Sequence, residues 1–206
     1  MKKIFLVIIA MIVLSGIASY GAYAGKTSDN LKMAYKKELT ASARYTAYAE
    51  QAKKEGYPQI AILFTAVAKS EAIHAANHKT VLERLGEVVQ EFEPELITKT
   101  TKENLLAAME AETAATNSMY PDYIATAKDE NVLDAAKSMR WAMETEKRHI
   151  PMFTNAMDAL NAKKVADLPK VYFICPKCGN TYNVPNPEAE CSFCGTKSTR
   201  FIKFEI

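Results

Sequence analysis

The sequence predicts a mainly α-helical protein: a four-helix bundle followed by a small C-terminal domain that binds a metal through four cysteines. Three observations support this fold class. Apolar residues recur with helical spacing along most of the chain, the low counts of 7 glycines and 8 prolines argue against an all-β fold, and all 4 cysteines lie in two Cys-x-x-Cys pairs near the C-terminus. With 206 residues and 49% hydrophobic content, the chain can bury one main core and a small appendage.

The first 24 residues have the pattern of an export signal. Lys2 and Lys3 precede an apolar run over residues 4–18, and Ala22-Tyr23-Ala24 fits the small-x-small rule for cleavage. We therefore expect a signal peptide over residues 1–24 and an exported, periplasmic protein. The alternative is an uncleaved membrane anchor, because the run is only slightly shorter than the ~20 residues that span a bilayer. Contact with a membrane is expected only in that case.

The charge balance of the rest of the chain argues against nucleic-acid binding. Removal of residues 1–24 takes away two lysines and no acidic residues, so 26 basic and 24 acidic residues become 24 and 24. A neutral chain without a basic stripe gives no support to a nucleic-acid partner. We expect the bundle over residues 25–162, a linker over 163–170 and the cysteine domain over 171–206.

The first two helices are predicted on either side of a short turn. Apolar residues spaced as in a helix run from about residue 28 to 54, and Gly56-Tyr57-Pro58 ends this helix and opens the next one, which continues to Gly86. An acidic stretch over 87–99 contains Pro94. It is long for a turn between antiparallel neighbours and suits a crossover between two helix pairs.

The third and fourth predicted helices each contain a proline. Thr100-x-x-Glu103 is a capping box, which starts the third helix, and Pro121 is expected to kink that helix before it ends near residue 130. The fourth helix is expected over about 132–160, with Pro151 inside it and a kink at that point.

Each of the four helices carries a glutamate inside its apolar stripe. An ionised carboxylate is too costly to bury without a partner, so these residues predict ion pairs or a metal site. Glu71-x-x-His74 and Glu146-x-x-His149 add an imidazole on the same helix face. Two such pairs with one glutamate from each of two other helices are the ligand set of a di-iron or di-manganese carboxylate bundle. The six predicted ligands are Glu38, Glu71, His74, Glu112, Glu146 and His149, with Glu71 and Glu146 placed to bridge two metals.

Three further polar side chains lie close to these ligands along the helices. Tyr45 and Tyr120 could hydrogen-bond to ligand carboxylates, and the alternative for both is ordinary packing in an amphipathic helix. His78, one turn after His74, could be a third histidine ligand, although a solvated or supporting role is the preferred interpretation.

The four cysteines predict a second metal site. Cys175 and Cys178 form one pair, and Cys191 and Cys194 form the other after twelve intervening residues. Two such pairs place four thiolates at the corners of a tetrahedron, which suits a single iron or a zinc. The alternative in an exported protein is a pair of disulfides. Val171–Ile174 precedes the first pair as a predicted strand, and residues 201–204 could return as a last strand.

Together these motifs resemble the rubrerythrin family. The order Glu38, Glu71-Ala-Ile-His74, Glu112-Thr113 and Glu146-x-x-His149, followed by the cysteine pairs over 175–194, is similar to a ferritin-like di-iron bundle with a C-terminal rubredoxin-like domain. The resemblance implies that the six glutamates and histidines predicted above bind two non-haem irons, and that Cys175, Cys178, Cys191 and Cys194 bind one rubredoxin-type iron. It also implies reduction of hydrogen peroxide to water, and a homodimer in which one subunit's rubredoxin-like domain lies near the other's di-iron site.

Two departures from the family pattern change these expectations. Rubrerythrins usually have a further glutamate three residues after the position of Glu112, where this chain has Ala115, so we expect a six-ligand site with His74 bound in both redox states. Export would also require a periplasmic electron donor. We therefore expect a peroxidase, and two alternatives stay open: an O₂-dependent ferroxidase, and a non-catalytic iron-binding or storage protein. No cofactor other than metal ions is expected.

Overall fold

The computed structural model describes residues 25–206, so the predicted signal peptide over 1–24 lies outside the described residues. Four long helical stretches form a bundle, and a small three-stranded sheet follows them. The helices are α1 (Lys26–Lys54), α2 (Pro58–Arg84), α3 (Thr101–Ala114), α4 (Tyr120–Asp129) and α5 (Leu133–Asn161). Within residues 25–206 no helix is both long enough and apolar enough to cross a bilayer.

The first helix begins slightly before its predicted start, because a distant carboxylate caps it. Glu130 accepts hydrogen bonds from the backbone N–H groups of Lys26 and Thr27 at 3.1 and 2.9 Å. These N–H groups have no partner inside the helix, and the negative charge of the carboxylate also interacts favourably with the positive end of the helix dipole. The cap comes from the end of α4, about a hundred residues away, so sequence periodicity could not place it.

The third predicted helix is divided in two by a π-helical turn. The predicted capping box is present, since Thr100 Oγ1 accepts from the Glu103 backbone N–H at 3.3 Å and the Glu103 carboxylate accepts in return. The π-helical turn covers Ala115–Met119, and Pro121 lies in the first turn of α4. Proline has no N–H to donate, so one helical hydrogen bond is missing at Pro121 and another at Pro151. A π-helical turn precedes Pro121, whereas α5 continues through Pro151, and the kinks expected at the two prolines stay predictions.

Two apolar clusters fill the bundle on either side of the predicted metal ligands. One cluster contains Tyr45, Phe64 and Phe153, and the other contains Leu31 and Leu82. Along each helix the buried glutamates and histidines fall between residues of these two clusters. The fold therefore holds a polar layer inside an otherwise apolar core.

The C-terminal sheet packs directly on the bundle. Its strands are β1 (Val171–Ile174), β2 (Thr181–Tyr182) and β3 (Ile202–Glu205), antiparallel in the order β2-β1-β3. The predicted strand over 171–174 is confirmed and the last strand is one residue later than expected. The sequence did not indicate β2, because two residues are too few to show alternation. Tyr172 and Ile174 of β1 belong to the same apolar cluster as Phe64, which fixes the sheet to the helices.

Candidate metal centres

Four fully buried glutamates converge from four helices. Glu38, Glu71, Glu112 and Glu146 come from α1, α2, α3 and α5, and none of them is exposed to solvent. Glu38, Glu112 and Glu146 each have one carboxylate oxygen without a hydrogen-bond partner, and both oxygens of Glu71 face histidine nitrogens. A buried carboxylate that stays ionised needs cations or hydrogen-bond donors to compensate its charge. These unpartnered oxygens fit a site for metal ions.

The two predicted histidines face the same carboxylate. His74 Nδ1 lies 2.7 Å from Glu71 Oε2, and His149 Nδ1 lies 3.0 Å from Glu71 Oε1. Glu71 is also common to two groups whose ligand atoms lie within 4.8 Å of one another, and these groups are Glu38, Glu71, His74 and Glu71, Glu112, His149. A carboxylate shared in this way can bridge two metal ions. Carboxylate and imidazole donors suit iron or manganese.

Glu146 is placed differently, because a lysine contacts it. Lys37 Nζ forms a very short ion pair with Glu146 Oε1 and lies 3.5 Å from Glu38 Oε1. Glu146 belongs to neither three-residue group, so its role as a sixth ligand and second bridge stays a prediction. Burial by itself would lower the pKa of Lys37, but the charges of Glu146 and Glu38 outweigh it and raise the pKa. The sequence did not indicate Lys37, since a lysine beside a buried residue normally faces solvent.

The two predicted tyrosines reach ligand carboxylates. Tyr45 donates to Glu112 Oε1 at 2.6 Å, and Tyr120 donates to Glu38 Oε1 in a very short hydrogen bond. Burial and the adjacent carboxylates raise the pKa of both hydroxyls, so both stay protonated and act as donors. Hydrogen bonds of this kind orient ligand carboxylates.

His78 is buried, and side chains other than the predicted ligands occupy both of its ring nitrogens. Nδ1 lies 2.8 Å from Ser138 Oγ and Nε2 lies 3.1 Å from the Tyr120 hydroxyl. A solvated position for His78 is therefore wrong, and these contacts leave neither ring nitrogen available as a third histidine ligand. Burial is the main cause that lowers its pKa to about 3, so the imidazole is neutral.

The four cysteines form the second site. All four are free, and their sulfur atoms lie within 4.8 Å of one another. The Cys175–Cys194 and Cys178–Cys191 pairs have sulfur distances of 3.5 Å. A disulfide bond requires about 2.05 Å, so the alternative of two disulfides is wrong. Four convergent thiols fit one iron or zinc ion with tetrahedral coordination.

The cysteine domain covers the histidines of the bundle site. His149 Nε2 lies 2.9 Å from Thr181 Oγ1, and that hydroxyl donates to the Gly179 carbonyl at 3.2 Å. Ser70 Oγ donates to the same carbonyl at 2.7 Å, and Gly179 lies directly against His74 Nε2. The family resemblance implied that a partner subunit supplies this domain. In this structure the chain's own domain makes the contact, while the homodimer stays a prediction.

Comparisons with known proteins agree with both sites. The rubrerythrin family model matches residues 29–157. Rubrerythrin-2 of Clostridium acetobutylicum is 37% identical over 179 residues, which cover 86% of this chain and 96% of that protein. Nigerythrin of Nitratidesulfovibrio vulgaris is 31% identical and covers 91% of both chains. The solved structure of fully reduced, all-ferrous nigerythrin superimposes with a TM-score of 0.78 at 27% identity over 91% of both chains.

Rubrerythrins are generally di-iron oxidoreductases that act on peroxide and protect against oxidative stress, and they draw on an electron donor. The buried carboxylate–histidine layer fits that di-iron centre, and the four cysteines fit a rubredoxin-type iron. With a family model over residues 29–157 and a relative 37% identical along nearly its whole length, the chain belongs to the rubrerythrin family.

Proposed function

We propose that this protein reduces hydrogen peroxide to water at the carboxylate–histidine site, with electrons that pass from the four-cysteine iron of the same chain. The observation that carries the proposal is the contact of Gly179 with His74 and of Thr181 with His149. A domain able to hold a one-electron metal lies against both imidazoles of the site where peroxide would react. The reaction consumes two electrons and two protons for each peroxide and forms two molecules of water.

The protein's own groups hold and orient the reacting centre. A bound di-iron pair supplies the two electrons and Lewis acidity. Glu71 faces both halves of the site, so it would be a ligand common to both metals. Tyr45 and Tyr120 donate to Glu112 and Glu38, which limits the rotation of these carboxylates. Thr181 accepts from His149 Nε2–H when Nδ1 binds metal, which fixes the tautomer of that ligand.

A cavity between α1 and α3 offers a route for a small oxidant. It has a volume of about 240 Å³, and alanines and tyrosines line it together with Lys36 and Arg44. Lys37 and Tyr45 also line it, and these two residues contact Glu146 and Glu112 at the site. Hydrogen peroxide is far smaller than this cavity and would reach the residues that contact the ligands when it enters.

A second function, O₂-dependent iron oxidation, is favoured by Ala115. This residue is buried next to the site, where the family usually has a further carboxylate, and alanine cannot bind metal. The resulting six-ligand site is closer to that of ferroxidases. A storage protein with zinc at the cysteines is the remaining alternative, because four thiolates also suit zinc.

We also propose that the protein is exported to the periplasm, acts as a homodimer and receives electrons from a periplasmic donor. The support for export is the sequence pattern of Lys2, Lys3 and Ala22-Tyr23-Ala24. Determination of the N-terminal residue of the protein from the periplasmic fraction tests this assignment. Recovery of the full-length chain in membranes would contradict cleavage.

The experiment that tests the main proposal is anaerobic stopped-flow oxidation of the fully reduced, iron-loaded protein. We expect the visible absorption of the ferric cysteine site to return with stoichiometric hydrogen peroxide, faster than with an equal concentration of O₂. Faster oxidation by O₂ would favour the ferroxidase. A colourless protein with zinc at the cysteines would contradict the proposed electron path, because zinc does not change its oxidation state.

A further inference from the structure

A chain of buried hydrogen bonds connects the bundle site to the protein surface. Ser138 Oγ lies 2.8 Å from His78 Nδ1, and His78 Nε2 lies 3.1 Å from the Tyr120 hydroxyl. That hydroxyl donates to Glu38 Oε1. Ser138 is 4% exposed, and His78, Tyr120 and Glu38 have no exposed surface. This chain of hydrogen bonds therefore joins four helices, α5, α2, α4 and α1, through the core.

In this chain of hydrogen bonds, the number of hydrogen atoms available to each side chain decides which partner donates in every bond. As a metal ligand Glu38 is ionised and can only accept, so Tyr120 uses its single hydrogen to donate to it, which is the direction that the structure has. Tyr120 can then only accept from His78, which places a proton on Nε2. A neutral imidazole carries one N–H, so Nδ1 is bare and accepts from the Ser138 hydroxyl. All three bonds point from Ser138 toward Glu38.

The outer end of the chain opens into a groove. This groove has a volume of about 210 Å³ between α2, α5 and the cysteine domain, and Ser138 lines it with polar residues that include Asn77, Thr80 and Lys177. A hydroxyl in a polar groove can take a proton from water as it gives its own proton away. The cavity of about 240 Å³ between α1 and α3 has no lining residue in common with this groove, so peroxide and protons would arrive by separate routes.

We propose that Ser138, His78 and Tyr120 form a proton path that supplies the two protons consumed for each peroxide. The proposal rests on the proposed function. In each transfer, water gives a proton to Ser138, Ser138 gives its proton to His78 Nδ1, and His78 Nε2 gives its proton to Tyr120. Tyr120 then gives its proton to Glu38 Oε1, and Glu38 passes a proton to a peroxide oxygen as water forms. Each hydroxyl accepts as it donates, so neither becomes charged. Rotation of the hydroxyls and return of the imidazole to its first tautomer complete the cycle.

The surroundings of His78 suit this role. Burial first, and then the charges of His74 and Lys37, lower its pKa, while Glu71 opposes the shift. The imidazole therefore carries a single proton at neutral pH, which is the state that the bond directions require. His78 passes protons without binding peroxide or metal, so it is a positioning and relay residue.

The first test measures the tautomer of His78 and does not depend on turnover. We load the full chain with zinc and record the ring ¹⁵N shifts of His78 by NMR. The expected result is a proton on Nε2 and a bare Nδ1. A proton on Nδ1, or on both nitrogens, would overturn the proposed direction of the chain.

The second test compares variants in single-turnover oxidation by peroxide in H₂O and D₂O. Ser138→Ala should slow oxidation at least about tenfold, since positioned proton transfer commonly contributes more than that. Ser138→Thr keeps the hydroxyl and should restore the rate. Thr80→Ala is the matched control, because Thr80 lines the same groove but its hydroxyl donates only to the Ala76 carbonyl of its own helix.

His78→Gln tests the path from within, because an amide can hydrogen-bond to Tyr120 but does not release its proton at neutral pH. It should slow oxidation as much as Ser138→Ala. A wild-type rate in both variants would overturn the path and leave the peroxidase proposal standing. If the wild-type protein does not react with peroxide at all, the proposed function fails, and with it the path as a source of protons.

Discussion

Gly179 and Gly195 offer a controlled test of the contact between the two metal sites. Each follows the second cysteine of its pair, and the backbone φ angles are +80° and +70°. A methyl group added at Gly179 would lie 2.7 Å from His74 Cδ2, closer still to Nε2, and 3.2 Å from the Ser70 carbonyl oxygen. A methyl group at Gly195 would meet no heavy atom within 4 Å.

The expected magnitudes follow from this difference. Alanine in the left-handed region costs about 1–2 kcal/mol at either position. Only Gly179→Ala adds a collision, and overpacking of a close-packed contact costs about 1–3 kcal/mol more. The His74 ring cannot easily rotate away from the added methyl group, because its Nδ1 lies 2.7 Å from the Glu71 carboxylate. We therefore expect Gly179→Ala to lower the free energy of unfolding by about 2–5 kcal/mol and Gly195→Ala by about 1–2 kcal/mol.

The assay is denaturant unfolding of the two metal-loaded variants in parallel, with a second measurement of electron transfer. After rapid reduction of the cysteine iron, we expect slower reduction of the bundle site in Gly179→Ala than in Gly195→Ala, because the domain must move away from His74. Equal losses of stability and equal transfer rates would refute the conclusion that the cysteine domain lies on its own chain's site.

Three further predictions concern the polar layer. Lys37→Met should destabilise the metal-free protein by about 3 kcal/mol, since it leaves the buried Glu146 carboxylate uncompensated, and should tighten divalent-metal binding in calorimetric titration. Lys36→Met is the control, and equal effects of the two substitutions would contradict the ion pair between Lys37 and Glu146. The pKa of His78 is about 3 in the folded protein and about 6.5 in the unfolded protein. Between these two pH values the unfolded state binds a proton that the folded state does not, so the free energy of unfolding falls as the pH drops from 6.5 toward 3, by up to about 1.4 kcal/mol per pH unit. The His78→Gln variant should lack this pH dependence when unfolding is measured at several pH values. If stability changes with pH equally in the wild type and the variant, the lowered pKa of His78 is contradicted. Ala115→Glu should raise peroxide turnover if a missing carboxylate limits it, and an unchanged stopped-flow rate would discard that idea.

Much of the architecture could be predicted because its signals are local. The capping box at Thr100 and the strand over 171–174 depend on residues close together in the chain. The buried glutamates stood out because an acidic residue inside an apolar stripe is costly, and all four are fully buried in the structure. The π-helical turn at Ala115–Met119 was not predicted, since the proline two residues after it is equally consistent with a kink.

The sequence by itself determined which residues can bind metal, because helical periodicity and the spacing of glutamates, histidines and cysteines decide which side chains share a face. Only the tertiary structure decided what surrounds them. The pairing of Lys37 with Glu146, the bonds of His78 to Ser138 and Tyr120, and the position of Gly179 against His74 all join distant segments. Such contacts depend on how each helix is rotated and where the last domain docks, and these are set by the packing of the whole core.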